Sequence, residues 1–334
     1  MPEKPLPVVV LFGPTAAGKT AVLVNLFCGK TGHGAELVSA DSMQVYRGLD
    51  IGTAKPPASI LSALPHHLIN ILNPDEQFNA GEFVHLADAA CAGIHERGLL
   101  PVVSGGAGFY LKNFIQGLPS SPPPDAAVRE KLAAELRAGG SAPLIAELRA
   151  ADPGSAARIH PNDTYRLLRA LEVLRVSGRA PSGCATDEKS RRNKYRFLLI
   201  GLEWERETLY RRINRRCSRM FRAGLVEEVK ALFARHYTPD DPGLRAIGYK
   251  EFFVRDYGGA WHLSSDIAGV ETLVARHSRQ YAKRQITWFK KVPGVEWIKL
   301  CEAPRPENEE AAFSAASAAI QKKLALFLGE DGGD

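Results

Sequence analysis

The sequence predicts an α/β fold, a parallel sheet flanked by helices and carrying a helical insertion, on three observations. Short apolar runs alternate with helix-patterned segments through the first third of the chain. A glycine-rich turn follows the first apolar run and leads directly into a helix pattern. A proline-dense break near residue 120 opens a stretch of helical periodicity alone, and the strand pattern returns only near residue 197.

Taken in order, Val8–Phe12 is an unbroken apolar run and reads as a buried strand. Lys19–Phe27 continues it as a helix. Glu36–Ser39, His67–Ile71 and Leu100–Ser104 read as further strands, with a helix at Gly81–Glu96. Leu118–Asp125 contains Pro119, Pro122, Pro123 and Pro124. Proline fixes φ and lacks an amide donor, so this run marks a boundary. Ala126–Leu148 and Thr164–Val176 follow as helices, with Leu167, Leu171 and Leu174 on one face of the second. The breaker-rich Ser177–Asp187 precedes a strand at Phe197–Ile200, and a late strand is expected at Val295–Leu300. The expected organisation is a core in residues 1–119, a helical insertion in 120–190, completion of the core in 191–325 and a disordered tail in 326–334, where Gly329–Asp334 is acidic and glycine-rich.

Composition narrows the class. Hydrophobic residues are 45% of the chain and charged residues 24%, a globular balance. The five cysteines are scattered with no CxxC pair, which argues for a reducing, cytoplasmic setting and against a zinc site. No run reaches the ~18 apolar residues of a membrane helix. The formal net charge of +6 suits a phosphate-rich partner.

The chemistry concentrates in a few runs. Gly13-Pro14-Thr15-Ala16-Ala17-Gly18-Lys19-Thr20 fits G-x-x-x-x-G-K-[ST], which makes the expected core P-loop NTPase-like. Its glycines let backbone amides turn inward onto phosphate oxygens, Lys19 adds a point charge, and the Thr20 hydroxyl can bind Mg²⁺ or phosphate. Asp41 ends the second strand, where side chains reach the ligand crevice. It reads either as a helix cap or as a base or metal-shell ligand. Ser104–Tyr110 holds three glycines, permitting close approach of a ligand or a tight turn. Leu209–Phe221 and Leu273–Lys291 are amphipathic helices rich in Arg and Lys, a solvated face or a phosphate-backbone surface. His66 and His67 point to opposite faces of a strand, which favours packing or hydrogen bonding over a metal site.

Together these runs resemble the tRNA dimethylallyltransferases, also called tRNA isopentenyltransferases, of the bacterial type. The matching runs are GPTAAGKT (13–20), SADSMQVY (39–46), DIGTAKP (50–56), PHHL (65–68), GGAGFY (105–110), RIHPNDTYRLLRALEV (158–173), AIGYKE (246–251) and KRQITWFK (283–290). The resemblance implies transfer of a dimethylallyl group from dimethylallyl diphosphate to N6 of the adenosine 3′ of the anticodon, with Mg²⁺. It implies a monomer whose insertion grips the tRNA anticodon stem-loop. Lys19 and Thr20 would stabilise the leaving diphosphate, Arg216 would join the Gly13–Thr20 cradle, and Asp41 would accept the N6 proton. By the same resemblance the tRNA contacts are Asp41, Ser42, Met43, Gln44, Ala107, Arg129, Asp163, Thr164, Tyr165, Arg166 and Leu167. They continue with Arg245, Ala246, Ile247, Gly248, Tyr249, Lys250, Lys283, Arg284, Gln285, Ile286, Thr287, Trp288, Phe289 and Lys290. The family pattern has Thr where this chain has Ala107, removing one hydroxyl worth ~0.5–1.5 kcal/mol as a hydrogen bond. The alternatives are a P-loop small-molecule kinase, an isopentenyltransferase acting on a free adenine nucleotide, and a non-catalytic RNA-binding protein.

Overall fold

The computed structural model describes residues 4–28, 34–119, 121–184, 192–301 and 309–329. The chain divides into two compact units, Met1–Ile115 with Asn193–Asp334, and Gln116–Arg192.

The first unit is built on a six-stranded sheet. Its strands are β1 (Leu6–Phe12), β2 (Ala35–Ala40), β3 (His66–His67), β4 (Leu100–Gly105), β5 (Tyr195–Trp204) and β8 (Glu296–Leu300). They run parallel in the order β3-β2-β4-β1-β5-β8. A separate antiparallel pair joins β6 (Phe253–Arg255) to β7 (Trp261–Leu263). β1 lies between β4 and β5 and is buried from Val8 to Phe12, which explains why its apolar run does not alternate. The helices of this unit are α1 (Lys19–Phe27), α2 (Ala58–Ala63), α3 (Ala80–Glu96), α4 (Gly108–Gln116), α9 (Arg206–Arg222), α10 (Leu225–Ala234), α11 (Ile267–Phe289) and α12 (Glu309–Leu328). α3 opens on a capping box: the Asn79 side chain accepts from the amides of Gly81 and Glu82, and Glu82 accepts from the Asn79 amide. No helix among the described residues is long and apolar enough to cross a membrane.

Three expectations change. The strand expected at His67–Ile71 pairs only at His66–His67, because Leu68 (φ 63°) and Asn70 (φ 56°) turn left-handed. The helix expected over Ala126–Leu148 breaks at Gly140 (φ 71°), which ends one helix and begins the next. The tail expected to be disordered from residue 326 is helical to Leu328. There α12 buries Phe313, Ile320 and Leu324, and the helix stops at the left-handed Gly329, whose amide donates to Ala325 O at 3.0 Å. Residues 330–334 of that tail, and 185–187 of the breaker-rich run, lie outside the described residues.

The second unit packs α5 (Ala126–Gly139), α6 (Ser141–Ala151), α7 (Pro153–Arg158) and α8 (Thr164–Ser177) around Leu132, Leu144, Leu148, Leu167 and Leu171. Glu172 of α8 is wholly buried. It accepts from the Asp125 amide (2.7 Å), Arg129 Nε (3.0 Å) and Arg169 Nη1 (2.8 Å). Burial alone would disfavour its charge, yet these donors hold the carboxyl below its usual range. The proline run is thereby tied to the bundle, since Arg169 also donates to Pro122 O at 2.7 Å. Glu172→Ala strands these donors and is expected to cost this unit about 2–3 kcal/mol in a denaturant melt at neutral pH. Because the folded pKa is depressed, the contribution of Glu172 is present above the unfolded carboxyl pKa and fades as pH falls through the folded one.

Candidate active site

The turn between β1 and α1 is shaped by glycine at two positions. Gly18 is left-handed (φ 90°), and a Cβ there would stand 2.1 Å from the Phe313 ring of α12. A Cβ on Gly13 would come within 3.1 Å of Leu202 O. Side chains take up four of the turn's carbonyls. Lys19 Nζ donates to Gly13 O (3.0 Å) and Pro14 O (3.2 Å), Arg212 Nε to Ala16 O (2.9 Å) and Trp204 Nε1 to Ala17 O (2.9 Å). α1 has no side-chain cap, so the amides of its first turn form an anion-binding end.

These groups open on a cavity of about 740 Å³ lined by Thr15–Thr20, Asp41, Arg216 and Arg219, among others. Arg212, Arg216 and Arg219 lie three or four residues apart on α9, which brings all three to the cavity wall. Burial, and secondarily the Arg216 guanidinium, push the Lys19 ammonium down to about 8, with Asp41 opposing. Burial also lowers Arg216, again opposed by Asp41. Lys19 and Arg216 are both half-buried and the Arg216 charge disfavours that of Lys19, a strain that an anion in the cavity would relieve.

Asp41 follows β2 and caps a turn rather than a helix. Its Oδ1 accepts from the amides of Met43 (2.9 Å) and Gln44 (3.3 Å), a cap on its own turn. It also lines the large cavity and a second one of about 290 Å³. The second cavity adds Ser42, Met43, Arg245, Ala246, Ile247, Lys250 and Arg284 to a wall of Thr15, Asp41 and Arg216 common to both. Asp41 therefore stands where an anion site meets a neighbouring compartment.

Gln285 of α11 joins the two glycine-rich turns. Its Oε1 accepts from the Thr15 amide (2.8 Å) and its Nε2 donates to Gly106 O (2.8 Å). The glycines at 105–108 are needed for the protein's own packing. Added Cβ atoms would stand 2.0 Å from Ala40 O at Gly105, 2.5 Å from Gln285 Nε2 at Gly106 and 2.6 Å from the Trp288 ring at Gly108. Protein atoms approach all three glycines closely, and Gly105 and Gly106 also line the large cavity.

Several residues of the expected tRNA set are not exposed. Tyr249 is fully buried and donates to Glu228 at 2.6 Å, and Phe289 stacks on Phe12 at 4.8 Å. Leu167 sits in the core of the second unit, and Ala246, Gly248 and Gln285 are buried within the first. Ala107 is almost wholly buried, its amide donating to Ala40 O at 3.0 Å. Arg129 is exposed but engaged with Glu172, and Asp163 caps α8 through the Arg166 amide. Each has an apolar side chain, or a hydrogen-bonding duty, that packing satisfies first. Ile286 and Trp288 are half-buried, whereas Lys283, Arg284, Thr287 and Lys290 of α11, Arg245, Lys250, and Thr164, Tyr165 and Arg166 of the second unit are exposed. Gly13 and Pro14 are buried, and Pro14 lines a separate cavity. Outside the expected set, Lys55 lines the large cavity and donates to Tyr46 O (2.5 Å), Asp50 Oδ1 (2.7 Å) and Asn70 Oδ1 (2.5 Å). The DIGTAKP run was its signal. The histidines bond to protein partners, His66 Nδ1 with Leu64 O and His67 Nε2 with Glu36.

A parallel sheet with a phosphate-cradling turn after a central strand, and a carboxylate beside it on a shared cavity wall, defines an enzyme of the P-loop NTPase-like fold. The chain belongs to the IPP transferase family, whose profile matches residues 44–292. It is 42% identical over 291 residues to a tRNA dimethylallyltransferase of Geobacter sulfurreducens, covering 87% of this chain and 91% of that one. It is 43% identical to tRNA dimethylallyltransferase 1 of Syntrophotalea carbinolica, over 89% of this chain and 92% of that one. Among solved structures, the tRNA isopentenylpyrophosphate transferase of Bacillus halodurans matches with TM-score 0.63 and 36% identity, over 96% of this chain and 99% of that one. A eukaryotic dimethylallyltransferase acting on tRNA matches with TM-score 0.77 and 26% identity, over 97% of this chain and 80% of that one.

Inorganic pyrophosphate is expected to bind the free protein best while Lys19 is protonated. As pH rises through about 8, affinity should fall in the wild type by up to about tenfold per pH unit relative to Lys19→Met. Calorimetric titration of both proteins between pH 7 and pH 9.5 checks this.

Proposed function

We propose that the protein transfers a dimethylallyl group from dimethylallyl diphosphate to the exocyclic N6 of the adenosine 3′ of the tRNA anticodon, releasing diphosphate. The observation that carries this reading is the position of Asp41, on a wall common to the cationic cavity and its neighbour. The glycine turn, Lys19 and Arg216 hold the diphosphate, and adenine enters the neighbouring cavity past Arg245, Lys250 and Arg284.

The N6 lone pair is delocalised into the ring, so the amine is a weak nucleophile. Asp41 takes its proton as the N6–C1 bond forms and the C1–O bond of the diphosphate breaks. Negative charge then grows on the departing oxygens, where the amides of Ala16 and Gly18–Thr20, the Lys19 ammonium and the Arg216 guanidinium stabilise it. The Thr20 hydroxyl and the diphosphate oxygens form an oxygen donor set of the kind Mg²⁺ takes, and Asp41 lines the same cavity. When bound, Mg²⁺ supplies further neutralisation of the leaving group. The turn thus serves a leaving group rather than hydrolysis.

The exposed Lys283, Arg284, Thr287 and Lys290 of α11 contact the tRNA backbone, with the half-buried Trp288 beside them. The exposed Tyr165 and Arg166 of the second unit give that unit its own RNA-facing aromatic and cation. Such contacts make affinity fall with salt. The buried residues of the same runs form the frame behind these contacts. The protein works as a monomer in the cytoplasm.

Incubation with tRNA and dimethylallyl diphosphate, followed by mass analysis of the digested nucleosides, should give an adenosine heavier by one dimethylallyl group. Formation of ADP from ATP with no modified nucleoside would instead indicate a kinase. Asp41→Asn keeps an acceptor for the Met43 and Gln44 amides but removes the base. Turnover is expected to fall at least roughly 100-fold while tRNA binding, measured by filter retention, is kept. Unchanged turnover would remove Asp41 from proton transfer.

A further inference from the structure

Two loops form much of the second cavity beside Asp41. One supplies Gly52 and Thr53, the other Ala246, Ile247 and Lys250. They are almost 200 residues apart in sequence, yet a single carboxylate outside the cavity holds both. Glu228 stands in the first turn of α10. Its Oε2 accepts from the amides of Asp50 (3.0 Å) and Ile51 (2.8 Å). Its Oε1 accepts from the Gly52 amide (3.2 Å) and the Tyr249 hydroxyl (2.6 Å). Four donors converge on two oxygens, which fills a carboxylate's acceptor capacity.

Packing locks the same junction. A Cβ on Gly52 would stand 2.4 Å from the Tyr249 ring, so the ring lies flush against the loop backbone. Gly248 turns left-handed (φ 98°) beside the same glycine, where its Cβ would stand 3.5 Å from Gly52 O. The Gly13–Thr20 turn is anchored independently of Glu228, by Arg212, Trp204 and Gln285, although Asp50, Ile51 and Thr53 line the large cavity too. An amide in place of the carboxylate would turn an NH₂ group toward N–H or O–H donors, so even an isosteric change breaks the junction.

We propose that Glu228 is a positioning residue that, through the amides of Asp50–Gly52 and the Tyr249 hydroxyl, sets the shape of the cavity for the acceptor base and leaves the Gly13–Thr20 turn, where the diphosphate binds, unchanged. The inference rests on reading that cavity as the adenine site. It makes Tyr249 an internal strut linking Glu228 to the AIGYK loop rather than a tRNA contact.

The test compares wild type, Glu228→Gln, Tyr249→Phe and the double variant. Amide hydrogen exchange in peptides covering residues 47–55 should be at least tenfold faster in Glu228→Gln. KM for tRNA should rise at least tenfold, while Kd for inorganic pyrophosphate stays within twofold. Tyr249→Phe removes one of the four donors and should raise KM for tRNA by a smaller factor. The double variant should resemble Glu228→Gln, because Tyr249 acts through Glu228. Unchanged exchange, an equal shift in KM for tRNA and Kd for pyrophosphate, or effects of the two substitutions that multiply would each overturn the proposal. Faster exchange with unchanged KM for tRNA would do so as well. If the wild-type protein modified no tRNA, the reading of the site would fall, and the exchange and pyrophosphate measurements would still decide whether Glu228 is the anchor.

Discussion

A turn of six residues, Gly13–Gly18, has to keep its amides facing a cavity although its own side chains do little to hold it. The rest of the site depends on this constraint being met from outside. Lys19 reaches back to two of the turn's carbonyls, while Trp204 and Arg212 take two more. Gln285 fixes Thr15, and Phe313 fills the space where a side chain on Gly18 would lie. With the carbonyls occupied, amides and cations are what the cavity presents to a ligand. An anion is the species such a surface stabilises.

The same frame explains why residues that look like ligand contacts in the sequence are structural. α11 carries basic side chains outward and Gln285 and Phe289 inward, so one helix faces solvent with charge and braces both glycine turns. The run AIGYKE behaves likewise. Lys250 is exposed, whereas Ala246, Gly248, Tyr249 and Glu251 are buried, so one residue of the run serves the surface and most of it serves the frame. Arg212 lines the cavity and also braces the frame. It stacks near Trp204 and Phe313 and pairs with Glu309, and burial lowers its pKa even so.

Much of this was legible in the sequence because local physics dictates it. The glycines and lysine of GPTAAGKT, the unbroken apolar β1 and the proline run each announce their structure within a few residues. Asp41 was legible as a strand-end carboxylate, and its cap and its cavity position are both present. What local pattern could not reveal was pairing across long separations. The partners of the turn lie 187 to 270 residues away, at Trp204, Arg212 and Gln285. Glu228 sits in no motif, and its bonds reach 176 to 178 residues back to Asp50–Gly52. Burial of Tyr249 and Phe289 likewise follows from tertiary packing. The shortened β3 was missed because Leu68 and Asn70 adopt a left-handed backbone that their residue types do not advertise.

The account turns on where the acceptor amine lies relative to Asp41. The most direct measurement is a crystal structure of the protein with an anticodon stem-loop RNA and an unreactive thiolodiphosphate analogue of dimethylallyl diphosphate. The account predicts the adenine N6 within hydrogen-bond reach of the Asp41 carboxylate, about 2.6–3.2 Å, with the diphosphate on the amides of the Gly13–Thr20 turn. An adenine bound elsewhere, or a diphosphate outside that turn, would contradict it.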